Sequence, residues 1–275
     1  MSPYLLLFFV IGYFLLLLGV AWYTSRNANN DSFFIGNRNS NWLLVAFGMI
    51  GTSLSGVTFV SVPGGVGKDA FAYFQITLGY LIGYIIIAYV LLPLYYRLNL
   101  TSIYNYLSSR LGIASYKTGA SFFLLSRVLG ATARLYLVVK ILQESILADF
   151  GVPFWLTTLI ILVMILIYTY EGGVKTIVFT DTLQTTFMIS GLIVCVLYIL
   201  HAMNLSFGEA INALGDKGYS KIFYTDPQSK LFFGKQILAG AFITVTMTGM
   251  DQEMMQKTIS VKTLRDSRKN IITLS

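Results

Sequence analysis

The chain has 275 residues, of which 56% are hydrophobic and only 11% charged. A water-soluble domain carries roughly a quarter charged residues, so too few polar side chains exist here to cover a globule, and lipid must serve as much of the solvent. The excess of 19 Lys and Arg over 12 Asp and Glu does not indicate nucleic acid, because the basic residues lie in short clusters between long apolar runs. A single cysteine, Cys195, excludes an internal disulfide and a Cys-based zinc site; alone in an apolar run, it is expected to be a small buried hydrophobe. No Cys/His pair, metal-ligand cluster, phosphate loop or nucleophile elbow is visible, so neither an enzyme nor a bound cofactor is expected.

A helix that crosses a bilayer needs about 20 predominantly apolar residues. Seven segments qualify: Tyr4 to Tyr23, Trp42 to Val66, Phe71 to Tyr96, Ser121 to Phe150, Pro153 to Tyr170, Lys175 to Met203, and Phe232 to Met255. The first has no basic residue before it, is too long for a signal sequence and is followed by Arg26, so it reads as a retained helix with its N-terminus outside. In that orientation eleven Lys and Arg, among them Arg26, Arg38, Arg97, Lys175 and Lys257, are cytoplasmic. Five are external: Lys68, Lys217, Lys221, Lys230 and Lys235. This bias follows the positive-inside rule. Trp22, Trp42 and Trp155 fall at span ends, where aromatic belts form, and His201 is expected at an interface. A multi-pass protein of the plasma (inner) membrane, in contact with the lipid bilayer, is implied.

Polar groups inside a span are costly and therefore functional candidates. The second span contains Gly48, Gly51-Thr52-Ser53-Leu54-Ser55-Gly56, Thr58 and Pro63-Gly64-Gly65, a density of Gly and hydroxyl residues that lets a helix unwind and expose carbonyls. The fourth carries Arg127, placed to snorkel to the headgroups, and Arg134, about 10 Å further along the axis and too deep to reach water easily. Arg134 needs an anion, either an internal carboxylate or a substrate's. Lys140 and Glu144 are four apart and can pair. The sixth opens with Gly172-Gly173 and reaches Asp181 about 12 Å later among Thr hydroxyls. A carboxylate there protonates or finds a cation, and by chemistry alone proton carrier and Na⁺ ligand both remain open.

Asn204 to Leu231 reads as an external loop with one surface helix. The seventh span holds a second polar patch, Thr244, Thr246, Thr248, Gly249 and Asp251-Gln252-Glu253. Close packing of small residues explains either patch alone. Two interrupted helices at corresponding places, five spans apart, point instead to an inverted repeat with a midplane binding site.

Gly172-Gly173 with Thr180-Asp181 and Gln184 resembles the GG-x6-TD-x2-Q signature of the sodium/solute symporter family. Gly249-Met250-Asp251-Gln252 with Gln256-Lys257 is similar to that family's G-x-D-Q-x3-Q-[RK] stretch. Gly51 to Gly64 resembles its unwound first core helix, and Leu92-Pro93-Leu94-Tyr95-Tyr96-Arg97 with Thr101 to Leu107 its second helix and cytoplasmic turn. The resemblance implies an all-α integral membrane protein with a leucine-transporter-like inverted-repeat fold. One leading helix (4–23) precedes a first repeat of core helices one to five (42–203) and the start of a second repeat, core helix six and a cytoplasmic loop (232–275), within a single transmembrane domain (1–275).

The resemblance further implies import of a small solute with Na⁺ as the coupling ion. By position, the carbonyls of Gly51 and Leu54 would face the principal Na⁺ site, with Asp181 just below. Ser53, Ser55 and Thr58 would line the solute cavity, with Gln75 or Thr77 opposite and Thr244 and Met247 on core helix six. Arg134 aligns with an arginine that sialic-acid-transporting members use for the solute carboxylate. The sugar-transporting branch has Tyr where Met247 stands and an acidic residue absent near Gln75 and Thr77, which disfavours a neutral hexose. The expected order is a carboxylate-bearing solute such as a sialic acid or monocarboxylate, then a sugar or polyol, then an amino acid or vitamin. Family members run to about twice this length, so the remaining core helices are expected from a further C-terminal half, without which the chain should not transport. The competing expectation is a non-transporting remnant or membrane sensor.

Overall fold

The computed structural model describes residues 3–25, 40–54, 56–100, 102–169 and 173–275. Arg26, Arg38, Ser55, Thr101, Gly172 and the side chain of Lys175, all used in the sequence argument, lie outside the described residues. Within them the regular structure is helical, with only isolated β-bridges. The helices are α1 (Pro3–Ser25), α2 (Trp42–Ser53), α3 (Gly56–Asp69), α4 (Tyr73–Ile86), α5 (Leu92–Arg97), α6 (Ile103–Leu111) and α7 (Ile113–Leu142). They continue with α8 (Phe154–Thr169), α9 (Gly173–Ala202), α10 (Phe207–Asp216), α11 (Phe233–Thr244), α12 (Gln252–Ile259) and α13 (Leu264–Leu274).

Helix occupies each of the seven expected spans. Four helical stretches are long and apolar enough to cross a membrane unbroken: Pro3–Thr24, Tyr73–Arg97, Ile113–Leu147 and Thr176–Ala202. The fifth, α8, has 16 residues, about 24 Å at 1.5 Å per residue. The second and seventh are broken, as their glycine and hydroxyl content predicts. The second stops at Ser53, and Leu54 is extended at φ −82 and ψ 108 before α3 begins. The seventh runs from α11 through a π-helical turn, Val245–Gly249, to Met250, and restarts at Gln252.

Two compact units divide these elements. One holds α1, α6–α8 and the first turns of α9; the other holds α2–α5, the rest of α9 and α10–α13. The expected repeats, 42–203 and 232–275, divide the chain differently and remain a proposal.

In the first unit, Leu17 and Ala21 form the buried face of α1, and Thr24 shares a buried hydrogen bond of 2.9 Å with Thr176. Gly112, at φ +86, joins α6 to α7, a left-handed conformation that favours glycine. A second π-helical turn, Gln143–Leu147, extends α7. There Gln143 donates to the Val152 carbonyl at 2.6 Å and accepts from the Thr157 hydroxyl at 2.7 Å, tying α7 to α8. Lys140 and Glu144 pair at 3.8 Å on the surface, and the Arg127 guanidinium lies 5.3 Å over the Phe123 ring.

In the second unit, α4 and α11 meet backbone to backbone. A Cβ on Gly83 would lie 2.6 Å from Thr244 Cβ and 2.7 Å from the Ala241 carbonyl. One on Gly79 would strike the Ile237 carbonyl, and one on Gly240 the Ile76 carbonyl. Small residues permit this approach where no hydrophobic effect drives helices together in lipid. A third π-helical turn, Ile87–Leu91, precedes Pro93 and widens the helix where the proline ring would crowd the carbonyl four residues back.

Two departures from expectation concern single segments. The residues after Ile259, expected as a loop, form α13, whose Ser267, Asn270 and Ile271 are buried. Its Arg268 donates to the Ala88 carbonyl at 3.1 Å. Cys195 is exposed rather than buried, on a stretch of α9 whose neighbours Val194, Leu197 and Tyr198 are exposed too. An apolar run marks a surface that water avoids, and in a membrane protein that does not make it internal. The expected surface helix is α10, with a capping box in which the Ser206 N–H donates to the Glu209 carboxylate at 2.7 Å. The Ser206 backbone N–H and then its hydroxyl hold the Glu209 carboxyl below the usual carboxylate range.

Candidate functional site at the broken helices

The first break lies beside α9. Gly51, in the last turn of α2, is seated on Thr185, and a Cβ there would overlap the threonine hydroxyl. The Thr182 hydroxyl donates to the Leu44 carbonyl at 3.3 Å. Leu54 N–H donates to the Ile50 carbonyl at 2.8 Å and ends the ladder. A helix that stops leaves its last carbonyls without partners inside the helix, and Gly51 belongs to that turn. Thr52 and Asp181 add hydroxyl and carboxylate oxygens beside this turn, donors that suit hard cations rather than soft ones.

Asp181 projects from α9 toward this turn. Its Oδ2 accepts from the Thr52 hydroxyl at 3.1 Å and from Lys257 Nζ at 2.6 Å. Lys257 Nζ also donates to Thr52 Oγ1 at 2.9 Å and to Glu253 Oε1 at 3.0 Å. The Lys257 side chain is 5% exposed, Asp181 17% and Glu253 49%. Asp181 thus has the cation that a buried carboxylate demands, and the cation comes from α12, after the break in the seventh span. From sequence, Lys257 is a cytoplasmic charge and the last residue of the G-x-D-Q-x3-Q-[RK] stretch, with no partner assigned to it. The spacing of Glu253 and Lys257, four apart on one helix, was the available signal.

The second break is organised by Asp251, which caps α12 by accepting from the N–H groups of Glu253 at 3.0 Å and Met254 at 3.2 Å. Tyr95 donates to the Gly249 carbonyl at 2.6 Å and Tyr96 to the Val261 carbonyl at 2.6 Å. Backbone released in a membrane interior must find such partners, which gives the Leu92 to Arg97 motif its physical role.

The other sequence-predicted residues are distributed as follows. Ser53 is exposed at the break and Thr58 is half-buried on α3, while Ser55 lies outside the described residues. Thr77 is half-buried, its hydroxyl on the Phe74 carbonyl at 2.8 Å. Gln75 is fully buried, donating to the Ala72 and Leu231 carbonyls at 3.2 and 3.1 Å and accepting from Tyr224 N–H at 3.3 Å. Its amide pins the segment between α10 and α11 to α4. Thr244 is buried against Gly83, and Met247 is exposed on the π-helical turn. Arg134 belongs to the other unit and is exposed on α7, without an ion pair among the described residues. Among those residues no group of three or more His, Cys, Asp or Glu is placed to hold a metal.

An all-helical membrane protein with two broken helices and an ionised cluster beside the first has the architecture of a secondary transporter. A profile of the Sodium:solute symporter family matches residues 33–273, and the chain belongs to that family. The Sodium/iodide cotransporter of Homo sapiens is 26% identical over 242 residues, which is 86% of this chain and 36% of that protein. The Sodium-coupled monocarboxylate transporter 1 of Mus musculus is 26% identical over 236 residues, 85% of this chain and 38% of that protein. The Sodium/sialic acid symporter SiaT of Proteus mirabilis is 26% identical over 276 residues, 94% of this chain and 52% of that protein. A solved structure of a Na⁺-coupled sialic acid symporter, substrate-bound and outward-open, matches with a TM-score of 0.84 at 21% identity, over 99% of this chain and 57% of that one. The fold is therefore leucine-transporter-like: a leading helix followed by core helices one to six. The chain spans between about a third and about half of these relatives' lengths.

Proposed function

We propose that this chain supplies the leading helix and core helices one to six of a symporter that uses Na⁺ entry to import a small carboxylate-bearing solute. The observation that carries the reading is the first break, where the last turn of α2 and Asp181 on α9 bring oxygen donors together. Family membership supports the coupling ion. In this reading the carbonyls of Gly51 and Leu54 face Na⁺, with Asp181 below them. Ser53, Ser55, Thr58 and Thr77 line the solute cavity, and Met247 reaches it from the second broken helix. Gln75 and Thr244, expected as solute contacts, are buried in helix packing and support the cavity wall instead. The protein sits in the plasma (inner) membrane with its N-terminus outside and works with the remaining core helices of the fold.

A carboxylate-bearing solute is favoured by two facts. Arg134 is an exposed guanidinium without an ion pair among the described residues. Among the similar proteins are ones named for monocarboxylate and for sialic acid, both carboxylate-bearing solutes, beside others named for iodide and for vitamins. The test is Na⁺-driven uptake of labelled sialic acid, a short monocarboxylate and a neutral hexose by cells expressing the gene, before and after Arg134→Ala. Losing one charged hydrogen bond of about 1.5–3 kcal/mol weakens the carboxylate's apparent affinity about 10- to 100-fold and leaves any hexose uptake unchanged. Equal loss for charged and neutral solutes would remove Arg134 from the site.

A further inference from the structure

We propose that Lys257 is a tethered counter-cation that competes with the coupling ion for Asp181 and Thr52, and yields by shifting onto Glu253. The inference rests on the Na⁺ reading above and adds a positioning residue to it. The Lys257 ammonium has three protons and three acceptors, at 2.6 Å on Asp181, 2.9 Å on Thr52 and 3.0 Å on Glu253. It therefore fills the oxygen cluster as a small cation would. A buried carboxylate left without a counter-charge is strongly unfavourable, so Asp181, while ionised, holds one cation. Two at once would crowd like charges around a single inner carboxylate, so occupancy alternates between the lysine and a soluble ion.

The two carboxylates differ in a way that makes the exchange feasible. Asp181 is the inner acceptor, 17% exposed, and Glu253 the outer one, 49% exposed. Glu253 lies one turn before Lys257 on α12, so an ammonium that leaves Asp181 keeps a partner and gains water without any movement of the helix. Thr52 sits one residue past Gly51 and two before the break at Leu54. Displacing the lysine therefore also breaks the Thr52–Lys257 hydrogen bond between α2 and α12, which links cation binding at the first broken helix to the second.

The experiment is Na⁺-dependent thermal protection of the protein purified as expressed from its gene, with choline matching ionic strength, for wild type, Lys257→Gln and Glu253→Gln. The readout needs neither transport nor a known solute. Removing the tethered competitor is expected to lower the Na⁺ concentration for half-maximal protection about tenfold. Removing the outer acceptor is expected to raise it severalfold, because the lysine loses its alternative partner. Equal midpoints in all three overturn the exchange while leaving Na⁺ binding in place. A silent wild type with a responsive Lys257→Gln upholds the lysine as occupant and overturns the Na⁺ reading; silence in all three overturns both. If Lys257→Gln does not fold, Glu253→Gln decides, since an unchanged midpoint in that half-exposed variant refutes the proposal and a raised one supports it.

Discussion

Lys257 Nζ stands 2.6 Å from Asp181 Oδ2, joining residues 76 positions apart from two different helices. Asp181→Asn keeps the shape of the acceptor and removes its charge. In the full-length product of the gene, the Na⁺ concentration for half-maximal uptake should rise about tenfold or more, consistent with losing a charged hydrogen bond. Solute affinity at saturating Na⁺ should change much less. Superimposable Na⁺ activation curves would exclude Asp181 from coupling.

The seam between α4 and α11 leaves no room for a side chain at Gly79. Gly79→Val drives methyl groups into the Ile237 carbonyl, and overpacking against backbone costs about 1–3 kcal/mol or more. Thermal unfolding in detergent should show a clear loss of stability. Gly12→Ala, where nothing lies within 4 Å of the added Cβ, is the control and should be neutral or slightly stabilising. Equal behaviour of the two would contradict the close contact.

Ser53 is exposed at the break, so Ser53→Cys should react with a small thiol reagent, and Na⁺ with solute should slow the reaction. Cys195 is itself exposed, which makes a Cys195→Ala background necessary. The same expectation extends to Ser55→Cys. Absence of labelling at both positions in every state would place the cavity elsewhere.

Glu209 titrates outside the membrane. Its hydrogen bonds to Ser206 lower its carboxyl in the folded state. The stability they add is therefore fully present above the ordinary glutamate value, about 4.3, and is lost as pH falls through the lower folded value. Amide protection in α10, taken relative to the intrinsic exchange rate at each pH, should fall on acidification over that window. Glu209→Gln should exchange faster at neutral pH and lose the pH dependence. A pH-dependent step that persists in Glu209→Gln would assign it to another group.

Much of the fold is legible because lipid constrains it so tightly. Apolar runs such as Tyr4 to Tyr23 read as helices, and the density of Gly and hydroxyl residues from Gly48 marks a helix prone to break, as it does at Leu54. What eluded the sequence depends on tertiary proximity. Nothing local says that Lys257 folds back onto Asp181, that Gln75 fastens the segment before α11, or that Thr244 packs on Gly83. Nor does anything local say that the Ala88 carbonyl, in the π-helical turn before Pro93, receives Arg268 of α13. The exposure of Cys195 was misread because hydropathy separates water from everything else and does not separate lipid from protein.

Coupling to Na⁺ rather than to protons is the claim on which the whole account turns, and one vesicle measurement addresses it directly. The full-length product of the gene, reconstituted with a responsive carboxylate solute, is given an inward Na⁺ gradient with pH equal on both sides, or an inward proton gradient without Na⁺. The account predicts accumulation of solute above its external concentration only in the first case, and equilibration without accumulation when Na⁺ is equal on both sides. Accumulation driven by the proton gradient in the absence of Na⁺ would contradict it and make Asp181 a proton carrier.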